Sequence, residues 1–345
     1  MCIVLLSTAH PRYALIIIDN RDEYVLRPTT QPYWWTHGPS GNRILSSRDL
    51  YRRERGTWMG FNQDGRFAVL TNFRESALDD PDKSLGTVMS RGVIVNEWLG
   101  APPSESLDDF VPRVMTSGTF KGVGGFSLIC GDLRGMSEAK GMRAASILSN
   151  RCDSVDQVPR ICGTRGTTVS LSNTIYSSAS TWPKVNLGEE LMENTINEAV
   201  KQDWDEDTLT ENLFSVLDHD TMPRDPDRTL AEFRDLLRTS IFIPPFNNQE
   251  SQKCMEDAKR RGREENLPQF ETAPEDDESK DGDDLEPKEA FLQGAYGTQR
   301  QTIILVDWDG NVTYKERALW DAHGNALKRG EADVVKKFHI GDTTN

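Results

Sequence analysis

Cys2 is the first residue of this chain whose side chain could attack a carbonyl carbon. Methionine is usually removed when the next residue is small, which would leave Cys2 as the amino terminus. Its α-amine would then titrate at about 7.7–8.0, so a useful fraction is neutral and can accept the thiol proton. One residue then supplies both nucleophile and base, the chemistry of amino-terminal-nucleophile hydrolases that cleave amides through a thioester. The same cysteine also reads as a small buried residue opening an apolar strand.

A second chemical group is Asn20-Arg21-Asp22-Glu23, directly after the apolar run Tyr13 to Asp19. Where a buried strand emerges, four polar residues must face solvent, pair with each other or line a cavity. Arg21 could grip a carboxylate or phosphate in a fork, and Asp22 could orient the Cys2 amine. Asn72 and Asn173 likewise end apolar runs, Ala68 to Asn72 and Val169 to Asn173. Either carboxamide could donate to a developing oxyanion, although Asn suits a strand end equally well.

Weaker candidates surround these. Trp34, Trp35 and His37 form an aromatic patch able to stack on a flat ligand; His37 could ligate a haem iron. Gly122, Gly124 and Gly125 precede a strand, the wrong order for a dinucleotide-binding loop. Asp218-His219-Asp220 has no second His or Cys at ligand spacing.

The elements positioning these residues are strands at both ends of the chain with helices between. Cys2 to Ser7 and Tyr13 to Asp19 read as buried strands split by His10-Pro11-Arg12. Asp64-Gly65 and Asp309-Gly310 mark hairpins joining Thr57–Asn62 to Arg66–Asn72 and Gln301–Asp307 to Asn311–Lys315. Phe126–Ile129 and Thr168–Leu171 are further strands. Helical spacing appears over Leu107–Met115, Leu187–Lys201 (with Asn186 as cap), Leu209–Leu217 and Leu230–Arg238. This pattern predicts an α+β layered domain over residues 1–345.

Residues from about 247 to 290 are expected to form a disordered acidic insertion. Within them, positions 271–289 hold ten acids against Lys280 and Lys288, a net −8 of the chain's −15. The remainder is mildly acidic, which argues against nucleic-acid binding through a basic field. No apolar run reaches membrane-spanning length. Cys2, Cys130, Cys152, Cys162 and Cys254 make no disulfide framework, which suits a reducing compartment.

Taken in order, several blocks resemble the NRDE family, the transport and Golgi organisation protein 2 family. They are Met1-Cys2, Asn20-Arg21-Asp22-Glu23 with Arg27-Pro28-Thr29, Gly56-Thr57-Trp58-Met59-Gly60, and Ala68 to Arg74. Ser90-Arg91-Gly92, Gly125 to Leu133, Leu171-Ser172-Asn173 and Trp182-Pro183-Lys184-Val185 follow. Tyr296-Gly297-Thr298, Thr302 to Asp307 and Glu316-Arg317 close the series.

The family is similar to cysteine amino-terminal-nucleophile hydrolases, so the resemblance implies a four-layer αββα sandwich. It implies Cys2, Arg21, Asp22, Asn72 and Asn173 as a catalytic set, with either Asp22 or Glu23 as the acid. Ligand contacts are expected from Asn20, Arg21, Asp22, Glu23 and Arg91, and from Trp34 and Trp35 of the aromatic patch. Gln299-Arg300 departs by one residue from a pattern that more often has Arg directly after Gly-Thr. The implied role is intracellular handling of a hydrophobic metabolite, acyl-CoA or haem, linked to lipid homeostasis, haem mobilisation and Golgi organisation. Cytoplasmic, Golgi and mitochondrial locations are implied, with no cofactor required and no metal site. The alternative is a Cys2 amidohydrolase acting on a non-peptide amide. A third expectation is a scaffold recruiting partners through the acidic insertion.

Overall fold

Strand alternation decides the layers. Along β1 (Ile3–Ser7) and β2 (Tyr13–Tyr24), Val4, Leu6, Leu15 and Ile17 enter one core while Ile3, Ile16 and Ile18 enter another. That is the two-residue period of a strand buried on both faces. The computed structural model describes residues 2–73, 90–117, 123–176, 182–224, 230–272 and 292–341.

β1 and β2 lie inside a six-stranded antiparallel sheet. It runs β10 (Thr168–Ser172), β1, β2, β11 (Tyr296–Asp307), β12 (Asn311–Ala318), β13 (Val334–His339). A seven-stranded sheet follows chain order: β3 (Tyr33–Thr36), β4 (Arg43–Ser46), β5 (Met59–Asn62), β6 (Arg66–Asn72), β7 (Phe126–Asp132), β8 (Ala145–Ser149) and β9 (Arg160–Ile161).

The sheets meet across a core in which Val4, Leu6, Leu15, Ile17 and Ile304 face Leu45, Phe61, Phe67, Val69 and Ile129. Outside the second sheet, α1 (Gly92–Leu99) and α2 (Leu107–Ser117) pack Val95, Trp98, Phe110 and Val114 on Ile44, Leu128 and Leu148. Outside the first, α3 (Pro183–Gln202) and α4 (Glu206–Leu217) pack Met192, Ile196, Leu213 and Phe214 on Ile16, Ile18 and Ile303. These cores make the four-layer αββα sandwich expected from the resemblance.

Three local expectations need correction. The Asn20–Glu23 quartet does not sit at an emergent strand tip, because β2 runs through it to Tyr24, paired with β11. Next, α3 begins at Pro183 instead of Leu187. Proline is well suited to the first helical turn, where its missing N–H has no partner to lose. Last, residues 249–264 of the segment expected to be disordered form helix α6 (Gln249–Glu264). A reciprocal cap between Asn248 and Ser251 starts it, and Met255 packs with Val25 and Ala295. Residues 273–291, which carry most of the acidic run, lie outside the described residues, as do Arg74 and Gly122.

Candidate functional site

Strand register brings the distant candidates together. Ile3 pairs with Asn20 on one side and Ser172 on the other, so Cys2 stands one residue beyond that row, between β2 and β10. The Cys2 thiol donates weakly to the Asp22 carbonyl at 3.8 Å, and the Cys2 carbonyl accepts from Ser172 Oγ at 2.7 Å. From the facing sheet, Thr71 Oγ1 donates to Ser172 O at 3.0 Å, and Asn173 Nδ2 donates to the Asn72 carbonyl at 2.5 Å. Cys2, Asn72 and Asn173 therefore meet where the two sheets are stitched together. Asn173 is buried, and its Oδ1 has no hydrogen-bond partner among the described residues.

Alternation then divides the quartet between two environments. Arg21 shares the inter-sheet face with Leu15 and Ile17. Its guanidinium donates to Gln299 Oε1 and lies 4.2 Å over the Trp58 ring. Asn20 faces the helices and donates to the carbonyls of Leu217 at 2.7 Å and Ile241 at 3.0 Å. It therefore clamps α4 and the segment after α5 (Leu230–Leu236). Asp22 accepts from Thr298 Oγ1 at 2.7 Å. Glu23 pairs with Arg27 at 3.5 Å, while the Asp22 charge acts on Cys2 and helps to raise its pKa.

Two expected ligand residues lie elsewhere. Trp34 and Trp35 point to opposite faces of β3. Trp34 packs edge-on to Phe338, while Trp35 lies under Arg48 and donates to Ser46 Oγ at 2.9 Å. The ring under Arg21 is Trp58. His37 lies outside the second sheet, with its Nδ1 2.8 Å from Ser40 Oγ. His37 lines a cleft together with Glu54, Glu97, Glu105 and Asp109. Arg91 precedes α1 and packs its guanidinium on Gly124. Asp218 accepts from Gln301 and Arg329, both at 3.0 Å, and Asp220 pairs with Arg224 at 2.7 Å. Among the described residues no cluster of three or more His, Cys, Asp or Glu could hold a metal ion.

Residues outside the expected set complete the centre. On the inter-sheet face, Asp19, Thr302 and Glu316 form one row across β2, β11 and β12, and Arg21 and Arg300 begin the next. Ser47 from the opposite sheet donates to both Glu316 oxygens, at 3.0 and 2.8 Å. Arg300 is 3% exposed, and its Nε and Nη1 have no hydrogen-bond partner among the described residues. The ring of Phe270, in the chain after α6, stands 5.7 Å from the Arg300 guanidinium. The extra residue that sets Arg300 one place late is absorbed by a β-bulge between Thr298 and Arg300.

Burial dominates the electrostatics. It pushes Asp19 well above the carboxylate range, with Asp22 adding to the rise and Arg21 opposing it. It also raises Glu316, which Arg300 pulls back. The Cys2 thiol is pushed up to about 11, chiefly by burial. Lys184, fully buried in the first turn of α3, is lowered by burial and held up by Asp22, Cys2 and Asp19. Lys184 and Glu316 stand in blocks that carry the family resemblance, but neither was given a role at this centre, because each comes from a helix or strand far along the chain from Cys2.

A thiol-headed first strand beside buried arginines and carboxamides, within a two-sheet αββα sandwich, defines the class of protein. The chain belongs to the Transport and Golgi organisation 2 family, whose profile matches residues 1–321. It is 28% identical over 327 residues to the human Transport and Golgi organization protein 2 homolog, covering 93% of this chain and 94% of that one. An uncharacterized Saccharomyces cerevisiae protein is 25% identical over 351 residues, covering 95% of each chain. Among solved structures, the C2A mutant of the Clostridium perfringens conjugated bile acid hydrolase aligns with a TM-score of 0.39 and 8% identity, covering 99% of this chain and 92% of that one. A Caenorhabditis elegans N-acylethanolamine-hydrolyzing acid amidase ortholog aligns at 0.34 with 10% identity, covering 62% and 85%. Among the described residues no helix is long and apolar enough to cross a membrane.

Proposed function

We propose that this protein binds the anionic head of a hydrophobic metabolite, acyl-CoA or haem, at the Arg21–Arg300 pair on the inter-sheet face. The observation that carries the reading is the buried Arg21–Arg300 pair, in which Arg300 keeps two donor atoms without partners among the described residues, beside the Cys2 end of the sandwich. A buried donor without an acceptor costs roughly 1–3 kcal/mol, and a phosphate or carboxylate would relieve that cost. Membership of a family described by transport and Golgi organisation supports placing this binding in intracellular trafficking. Titration of the full chain with palmitoyl-CoA and with haemin tests the proposal. Saturable binding that Arg300→Met weakens at least tenfold is expected; absence of binding to both, or equal affinity in the variant, rejects it.

A second reading is a cysteine amidohydrolase using Cys2, supported by the hydrogen bonds that join Ser172 to Cys2 and the neighbouring Asn173 to Asn72. A thiol raised to about 11 is protonated at neutral pH, so turnover would need a nearby base. Intact mass of protein from its own cells, before and after exposure to an acyl-type electrophile, decides this reading. A retained Met1, or Cys2 that takes up no acyl group, counts against it.

A further inference from the structure

We propose that residues 268–272, the stretch that follows α6, form a hinged flap over Arg300, and that Phe270 must swing out before an anionic head reaches that guanidinium. This gate rests on the anion binding proposed for the Arg21–Arg300 pair and governs entry to it. Residues 263–272 are exposed with one exception, Phe270, which is half-buried. Its ring is turned inward and stands 5.7 Å from the Arg300 guanidinium. Arg300 itself is 3% exposed. The Phe270 ring therefore separates a buried cation from a stretch of chain that already lies at the surface.

The end of α6 supplies a fixed hinge. Asn266 takes the left-handed conformation, with φ +49°, and its N–H donates to Arg263 O at 3.3 Å. The Leu267 N–H donates to Gly262 O at 3.0 Å, which completes a paired closure of the helix end. The helix is anchored in turn by Met255 and by the Asn248–Ser251 cap. Beyond the hinge, the flap is latched to a single turn. His323 Nε2 lies 2.8 Å from Pro268 O, and the Ala322 N–H donates to Gln269 O at 2.9 Å. Asp321 holds that turn by accepting from the His323 and Asn325 N–H groups at 2.9 and 2.8 Å. Past Phe270, Glu271 makes an isolated bridge to Thr30, next to Thr29, whose Oγ1 accepts from Arg300 at 3.5 Å. An exposed stretch held by isolated bonds opens locally at low cost while the rest of the fold stays closed.

The ring is a weak occupant of its position. Its face attracts the guanidinium charge, yet Arg300 Nε and Nη1 keep no hydrogen-bond partner among the described residues. A phosphate or carboxylate would give those atoms charge-assisted hydrogen bonds. That difference in interaction favours the open flap once the head has bound.

Modification of arginines by phenylglyoxal, read by peptide mass, tests the gate in the full chain without any ligand. Arg300 should label slowly against Arg143, whose side chain is 68% exposed. Phe270→Ala should speed Arg300 labelling about tenfold, and His323→Ala, which keeps the ring and loses one latch, about threefold. Arg66, 1% exposed in the seven-stranded sheet, reports general loosening and should keep its wild-type rate. Association of palmitoyl-CoA, followed by stopped flow, should quicken in Phe270→Ala. Unchanged Arg300 labelling in Phe270→Ala, Arg66 labelling that rises in parallel, or an unchanged association rate overturns the flap. Faster Arg300 labelling in a protein that binds neither palmitoyl-CoA nor haemin supports the flap and rejects the anion site, so the two failures are told apart.

Discussion

Arg21 and Arg300 stand directly opposite each other on β2 and β11, one residue past the bulge at Gln299. Two like charges in adjacent buried strands are normally unfavourable. Here Gln299, Trp58, Glu316 and Asp19 surround them, so the pair is held within a mixed-charge centre.

Replacing Arg300 by Met removes the cation that most opposes the raised pKa of Glu316. Removing that cation leaves the buried Glu316 carboxyl less compensated and should lower stability. The double variant Arg300→Met with Glu316→Leu should recover most of that loss, since neither charge then remains. Urea unfolding of both variants checks the expectation. A double variant no more stable than the single one would show that these two residues are not energetically coupled.

Asp19 should make stability fall as pH rises. Its folded pKa is raised, so its contribution is fully present below the ordinary carboxyl range and is lost as pH climbs through the higher native value. Asp19→Asn removes that dependence. The stability of wild type relative to the variant, measured by urea unfolding across pH 4 to 9, should decline with increasing pH. A flat or rising difference refutes the assignment.

His10 acts in the opposite direction. Its Nδ1 accepts the Arg12 backbone N–H at 3.1 Å, which requires a neutral ring, and burial lowers its pKa to about 4. Stability is therefore present above the ordinary value near 6.5 and is lost as pH falls toward about 4, by roughly 3 kcal/mol at full extent. His10→Asn can keep the acceptor without titrating. Its thermal midpoint should fall less than that of wild type between pH 7 and 4.5; equal falls would remove His10 from the account.

Gly92 opens α1 against the chain before β5. A Cβ there would lie 2.7 Å from both the N and O of Thr57, which are backbone atoms that cannot swing aside. Gly92→Ala should cost roughly 2 kcal/mol through forced backbone displacement. At Gly60 the nearest obstacle is the tip of the Leu99 side chain, also at 2.7 Å, so Gly60→Ala should cost less. Differential scanning calorimetry of the two variants orders them; the reverse order would show that the α1 contact can yield.

Short-range patterns in the sequence decided much of this architecture. The unbroken apolar runs of β1 and β2 required strands covered on both faces, and Asp-Gly turns marked two hairpins. Motif order identified the family, and the polar tips of Cys2, Asn72 and Asn173 were legible because each interrupts a hydrophobic run. Pairing between distant strands decided the rest. The order β10-β1-β2-β11-β12 sets Glu316 in one row with Asp19, across Thr302, and Arg300 beside Arg21, although nearly the whole chain separates them. The face each residue takes is a matter of parity within a strand that continues past its apolar stretch, so Arg21 enters the centre while Asn20 secures a helix. Local composition records which groups are polar; register and layer packing alone determine which of them share a buried centre.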